Sequence, residues 1–428
     1  MLLLACTGLA APSAHAVSGA DQGAPQYYDS GLARTPYMGW NTYYGVGTTT
    51  EAEIRSVADF LVSSGLSASG YNIAWQDGGW AASTPRDSSG ALVPDPRLFP
   101  SGMKSLTDYL HGKGLKAGIY TDAGDYASGV CGMGSRGHYQ QDAKQFASWG
   151  FDALKVDFLC GIAQKLDPAT AFKEISDAVW NAGRPMLLNL CNPLTSDWGV
   201  PHTPAQDATQ NYVWGPTTGD SWRTGTDIAF EKASPRAWQN VLRSLDANSA
   251  HPEAQGPGHY NDPDYLIPMR RMDDGTLELT QEESTSQFVL WAEMAAPLII
   301  GSDPRTLPQS MIDTLRNPEI IAVDQDPLAV QGVRVAGNAT GDVYSKVLQG
   351  SGNRAVVPLN RSGQTASMTV DFADVGLTGS VSVRDLRGRR DIGARTGSYT
   401  VTVPAHGTAF LPGRLARQPR LGQPCPRA

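Results

Sequence analysis

The chain has 428 residues, with 34 Lys and Arg against 42 Asp and Glu, for a formal net charge of −8. That length exceeds one small core, so one large domain and a smaller one are expected. No basic run is long enough for a nucleic-acid or membrane surface and no apolar run can span a bilayer, so neither is an expected partner.

Met1 to Ala16 is apolar and closes on Ala14-His15-Ala16, a small-x-small cleavage pattern. It lacks the usual basic start, so it reads as a truncated signal peptide and implies a secreted protein. Residues 17–31 read as a linker.

From residue 32 to 325 short apolar strands alternate with amphipathic helical stretches. Tyr37 to Asn41 is the first strand. A helix follows, with Thr50 as cap, Glu53 three residues on in a capping-box pattern, and Ile54, Val57, Ala58 and Leu61 as its inner face. Tyr71 to Trp75 begins a second strand that closes on Asp77. Leu106 to Leu110 is helical, Lys116 to Tyr120 is a strand, and Tyr139 to Trp149 is helical. The next strand runs through Ala153-Leu154-Lys155-Val156-Asp157. Phe172 to Trp180 is helical, and Met186 to Leu190 is a strand ending in Cys191-Asn192. Beyond it the pattern loosens. Trp222 to Asp227 is polar-rich, Trp238 to Asn248 helical, and Gly256 to Asp264 reads as a loop after a short strand. Phe288 to Ala295 is helical, and Pro297 to Ile300 is a final strand.

About eight strand–helix units imply a parallel sheet with helical crossovers, and their number suits an α/β fold of the (β/α)8 TIM-barrel type. No Gly-rich phosphate fingerprint follows the first strand, which argues against a dinucleotide domain. Polar residues gather just after the strands: Asp77, Asp122, Asp157, Asn192, Asp227, Asp264 and Ser302. In a barrel these positions converge on one mouth, where active sites sit. Taken singly, Asn192 is equally a cap; Asp77-Gly78-Gly79 could be only a tight turn, though its place at a strand end favours the mouth. After Pro327 short strands with Gly, Ser and Asn turns replace the alternation. Residues 326–412 therefore read as a small antiparallel β-sandwich, a structural cap or a sugar binder. The Arg- and Pro-rich stretch 413–428 reads as a disordered tail.

Lys155 and Asp157 lie two apart, so their side chains leave one face of the strand. Outside a barrel they are an ordinary ion pair. Inside one, the ammonium would keep the acid ionised and nucleophilic. An acidic mouth with Trp40, Tyr43, Trp80, Tyr120 and Trp222 nearby suits an uncharged, polyhydroxylated substrate. Hydrolysis of a glycosidic bond needs two carboxyls about the anomeric carbon. Asp157 and Asp227 are the best pair, with Arg223 a natural hydrogen-bonding neighbour of the second.

Several stretches resemble glycoside hydrolase family 27, the α-galactosidase and α-N-acetylgalactosaminidase family. They are Leu32-Ala33-Arg34-Thr35-Pro36-Tyr37-Met38-Gly39-Trp40-Asn41, Leu154-Lys155-Val156-Asp157, Trp222-Arg223 with Asp227, and Gly256-Pro257-Gly258-His259-Tyr260-Asn261-Asp262-Pro263-Asp264. Ala295-Ala296-Pro297-Leu298 and Asp324-Gln325-Asp326-Pro327-Leu328 are similar to its eighth-strand and domain-junction motifs. The resemblance implies an α-galactosidase working by double displacement with retention, Asp157 as nucleophile and Asp227 as acid/base. It implies sugar contacts from Trp40, Asp77, Lys155, Arg223 and Asp264, a carbohydrate substrate, and no metal or organic cofactor. It also implies a Cys131–Cys160 disulfide beside the nucleophile loop.

Two departures stand out. The family typically carries Asp-Asp after the second strand, where this chain has Asp77-Gly78. It typically carries Cys-Glu-Trp after the fifth, where this chain has Cys191-Asn192-Pro193, with Asn192 the candidate sugar contact. The resemblance therefore leaves two other family activities open beside α-galactosidase: isomalto-dextranase and β-L-arabinopyranosidase.

Overall fold

The computed structural model describes residues 27–46, 49–127, 131–191, 211–229, 237–272 and 274–415. The expected signal segment, and Asn192, lie outside them.

Short apolar runs, stopped by turn residues, make the inner wall of the first domain. They are β1 (Met38–Asn41), β2 (Ile73–Gln76), β5 (Lys116–Asp122), β6 (Ala153–Asp157), β7 (Leu187–Leu190), β8 (Ser221–Arg223), β9 (Tyr260–Asp262) and β10 (Leu298–Ile300). Between β2 and β5 a hairpin of β3 (Ala81–Arg86) and β4 (Leu92–Pro94) is inserted, which the sequence reading did not foresee. The eight wall strands pair in parallel in the order β10-β1-β2-β5-β6-β7-β8-β9. The ring closes through Leu266, whose N–H donates to Ile299 O at 2.8 Å and whose carbonyl accepts from Gly301 N at 2.7 Å. This is the expected (β/α)8 barrel. Its sixth and seventh strands have three residues each, too few for a period-2 signal, so the stretch around Tyr260 was legible only as a loop.

The first helix, Glu51–Ser63, starts as expected: Thr50 Oγ1 accepts from Glu53 N at 3.2 Å. Ile54, Val57, Ala58 and Leu61 are fully buried. The Glu53 carboxylate, however, pairs with Arg305 at 2.6 Å. The reciprocal capping box occurs instead at Thr280 and Glu283, opening helix Gln281–Glu293. That helix is buried from Ser284 to Glu293, because the barrel covers one side and the second domain the other.

The second domain contains β11 (Val333–Gly337), β12 (Gly341–Val347), β13 (Asn353–Asn360), β14 (Ala366–Asp371), β15 (Ser380–Asp385), β16 (Arg390–Thr396), β17 (Ser398–Val403) and β18 (Leu411–Leu415). Six form the sheet β11-β12-β13-β18-β15-β16, and β14 pairs with β17. The last strand runs three residues past the boundary expected at 412. Period-2 alternation along β13 joins the domains: Ala355, Val357 and Leu359 pack into the barrel's core, Val356 into the sandwich's own. At the other end, Tyr28 and Ser30, expected in a linker, dock on the barrel through Met186, Thr217 and Asp220.

The junction encloses charge. Lys346 on β12 is fully buried and donates to Val323 O at 2.7 Å and Ala292 O at 3.2 Å. Glu293 and Asp324 are fully buried beside it, and Asp326 also faces it. Burial outweighs the ammonium at Glu293 and pushes its carboxyl from the ordinary 4.5 up to about 8. Burial likewise lifts Asp324 and depresses Lys346. A carboxyl raised in the fold stabilises it while protonated. That contribution is complete below the unfolded value and is lost as pH climbs through about 8. Melting temperature should therefore fall between pH 5 and pH 9, and Glu293→Gln should flatten that fall. Parallel profiles for the two proteins would show that Glu293 does not titrate in this range.

Candidate active site

The C-terminal ends of the barrel strands meet, as expected, around one cavity of about 70 Å³. Asp77, Lys155, Asp157, Arg223 and Asp227 all line it, so five of the residues singled out in the sequence converge. Tyr43, Tyr44, Tyr120 and Tyr265 form its aromatic wall, and Gly78, Leu159 and Cys191 fill the gaps.

Lys155 and Asp157 do share a strand face, but the ammonium does not pair with its strand neighbour. Its long stem carries Nζ to Asp77 at the end of β2, 2.8 Å from Oδ2. Three tyrosine rings surround the cation, with centroids at 5.0 Å (Tyr265), 5.5 Å (Tyr43) and 5.6 Å (Tyr120). Burial penalises both charges. The pairing outweighs it, so Asp77 sits below and Lys155 well above its ordinary value. Asp77 Oδ2 accepts also from Asn41 at 2.9 Å and Tyr265 at 3.2 Å, whereas Oδ1 accepts from Gly78 N at 2.9 Å.

Asp157 is held by Tyr120 OH at 3.0 Å on Oδ2 and by Phe158 N at 2.8 Å on Oδ1. Lys155 does favour the ionised form, as expected, but it does not decide the direction of the shift. Burial raises the carboxyl, Lys155 offsets only part, and the charge of Asp227 adds to the rise. Asp227 Oδ1 accepts from Arg223 at 3.0 Å. Its carboxyl is raised too, first by burial, with Arg223 opposing and Asp264 adding.

Two expected sugar contacts stand behind the wall instead of in it. Trp40 is fully buried, its indole N–H donating to Ser302 O at 3.1 Å. Trp80 and Trp222 are core side chains as well, so of the five aromatics expected at the mouth only Tyr43 and Tyr120 line the cavity. Asp264 has a left-handed backbone (φ 83°), which turns its carboxylate back under the surface. There it accepts from Ile228 N at 2.7 Å, Tyr265 N at 2.7 Å, Tyr44 OH at 3.1 Å and Arg223 at 3.1 Å. It therefore fixes the guanidinium that holds Asp227. The sequence reading missed Tyr44, Tyr265, Cys191 and Leu159 as wall residues. Their place just after strand ends is the available signal.

Asp122 organises the loop beyond the nucleophile candidate. Its carboxylate accepts from Gly124 N at 2.6 Å, Cys160 N at 3.0 Å and Gly161 N at 3.2 Å. Burial, and then Asp157, push it up to about 7. Cys160 is bonded to Cys131, with Cα atoms 5.8 Å apart and a separation of 29 residues. The expected disulfide is thus present and ties the loops after β5 and β6.

Residues 47–326 match the protein family described as alpha galactosidase A, and residues 338–412 match the alpha galactosidase C-terminal beta sandwich domain. The chain belongs to this family, glycoside hydrolase family 27, and is a glycosidase. It is 41% identical to Alpha-galactosidase 3 of Arabidopsis thaliana over 88% of this chain and 81% of that protein. It is 36% identical to Alpha-galactosidase A of Cellvibrio japonicus over 89% and 92%. The crystal structure of alpha-galactosidase I from Mortierella vinacea superposes with a TM-score of 0.78 at 30% identity, covering 90% of this chain and 98% of that one.

By the chain-entropy relation, a cross-link closing a loop of 29 residues is worth roughly 3–4 kcal/mol. Cys160→Ser should lower the denaturant midpoint accordingly, and reductant should do the same to the native protein. An unchanged midpoint in both would mean that the cross-link does not constrain the unfolded chain.

Proposed function

We propose that the chain is an exported retaining α-galactosidase, cleaving terminal α-linked galactose by double displacement. The observation that carries this reading is that Asp157 and Asp227 share one cavity wall under different hydrogen-bond donors. The pair is buried, and burial raises both carboxyls. A pair of this kind retains one proton between its members. Asp157 has two hydrogen-bond donors, whereas the Arg223 guanidinium beside Asp227 is shared with Asp264, whose charge adds to the rise; on this reading Asp157 keeps the negative charge. The proton then rests on Asp227. Asp157 attacks the anomeric carbon while Asp227 protonates the departing oxygen, giving a glycosyl ester and a free alcohol. Water, deprotonated by Asp227, then attacks the anomeric carbon, breaking its bond to Asp157 and releasing the carboxylate. The paired Lys155 and Asp77 supply a donor and an acceptor for ring hydroxyls, and the tyrosines an apolar face. The α-galactosidase relatives favour galactose as the glycon. Export is supported by the apolar N-terminus and the disulfide. No described helix is long and apolar enough to cross a membrane.

A second reading keeps the two carboxyls and changes the sugar, to that of an isomalto-dextranase or a β-L-arabinopyranosidase. Gly78 favours it, because a wall position beside Asp77 offers no side chain to a hydroxyl.

Nitrophenol release from 4-nitrophenyl α-galactopyranoside, with proton NMR of the first anomer formed, tests the reading. Release with α-galactose appearing first is expected. Asp157→Asn and Asp227→Asn should each cost on the order of 10²–10⁴ in kcat. A β-anomer product would end the retaining mechanism. Turnover of glucosides or arabinopyranosides alone would move the chain to the second reading.

A further inference from the structure

A short helix, Leu159–Ala163, starts two residues after Asp157, and its first residue lines the cavity. Helix starts leave backbone N–H groups unpaired, and a Ser, Thr, Asp or Asn at the N-cap normally accepts from them. Here the N-cap is Phe158, whose side chain makes no capping bond. The acceptor comes from another strand. Asp122 ends β5, in register with Asp157 at the end of β6. Its Oδ2 accepts from Cys160 N at 3.0 Å and its Oδ1 from Gly161 N at 3.2 Å. The strand ends are also tied by Ala123 N, which donates to Asp157 O at 2.9 Å.

Only Phe158 and Leu159 lie between the paired strand and the first residue that Asp122 holds. Phe158 N is the donor to Asp157 Oδ1, at 2.8 Å, and Leu159 is part of the cavity wall. A shift of this helix would turn that donor away from Asp157 and move the wall with it. Asp122 accepts from all its N–H partners only as a carboxylate, because a protonated oxygen becomes a donor. Burial, and then the charge of Asp157, oppose the carboxylate form. Tyr120 on the same strand and Tyr139 from helix Tyr139–Trp149 also face Asp122, and burial keeps both phenols neutral. A second anchor acts at the same point, the bond from Cys160 to Cys131.

We infer that Asp122 is a positioning residue for the nucleophile: from the neighbouring strand it caps the helix that follows Asp157, and the Cys131–Cys160 bond holds the same helix when that cap is protonated. The inference rests on the reading of Asp157 as nucleophile.

The test is the pH dependence of kcat/KM on the nitrophenyl glycoside that the enzyme cleaves best, whose acid limb reports ionisation of the nucleophile in the free enzyme. In the cross-linked protein that limb should fall with a slope of about one. In a Cys131→Ser, Cys160→Ser double variant the slope should be about two, because Asp122 must then be ionised as well. Asp122→Asn in the cross-linked protein should move the limb to lower pH by roughly half a unit, since a negative neighbour of Asp157 is gone. Added to the double variant, Asp122→Asn should lower kcat at least roughly tenfold, with KM within about twofold. Superposable limbs in these proteins, or a loss that is equal at every pH, would make Asp122 a structural cap and overturn the inference. Where the cysteine variant does not fold, the limb of Asp122→Asn in the cross-linked protein decides alone. An Asp157→Asn variant that still turns over removes the nucleophile and the inference together. An inactive Asp157→Asn with unshifted limbs removes the inference only.

Discussion

Buried charge at the barrel mouth is the constraint on which the site depends. Asp77, Asp157, Asp227 and Asp264 are withdrawn from water, and Lys155 and Arg223 are the cations paired with their carboxylates among the described residues. Each cation is shared or committed: Lys155 to Asp77, Arg223 between Asp227 and Asp264. Two carboxyls' worth of charge is left over, and desolvation resolves the surplus by raising Asp157, Asp227 and Asp264. The proposed division of labour, one carboxyl keeping a proton and one carboxylate facing the ligand, draws on that imbalance.

The same arithmetic recurs at the domain junction, with a different result. There Lys346 faces Glu293 and Asp324, and its own hydrogen bonds go to the carbonyls of Val323 and Ala292. This cluster lies in the shared interior of the two domains, where its excess acidity acts on stability. The cost of burying it is balanced by the alternation of β13, which places apolar side chains in two cores at once. The sandwich is therefore bound to the barrel as a continuation of its core, and helix Gln281–Glu293 lies in the shared interior.

The repeating barrel units were legible because four to seven buried residues followed by a breaker is a strong local signal. The strands at Ser221–Arg223 and Tyr260–Asp262 were not, since these three-residue runs mix polar with aromatic side chains, whereas the equally short Leu298–Ile300 is wholly apolar. Legibility of the site divides in the same way. The rule that functional groups follow strand ends found Asp77, Asp157 and Asp227. It could not separate them from Asp122 and Asp264, which occupy equivalent places in the chain but point inward. What separates Asp264 is a left-handed φ of 83° on a non-glycine residue, and nothing in its side chain announces that. Lys155 shows the converse. Its face was predicted correctly, yet a four-carbon stem reaches past the nearest acid to one that is 78 positions away in sequence.

Residues outside the wall thus decide what the wall can do. Asp264 never meets the cavity, but it aligns Arg223, and Arg223 aligns Asp227. Asn41 and Tyr265 occupy one oxygen of Asp77 and so determine which oxygen is presented. Asp122 gathers three backbone N–H groups of the loops that the disulfide ties, and it is itself raised by the charge of Asp157. A change of ionisation at Asp157 would therefore reach Asp122, whose carboxylate holds the same loop. Cross-linking that loop covalently keeps its geometry independent of which of the two acids holds the proton. On this view the Cys131–Cys160 bond serves the charge cycle of the site as much as the stability of the fold.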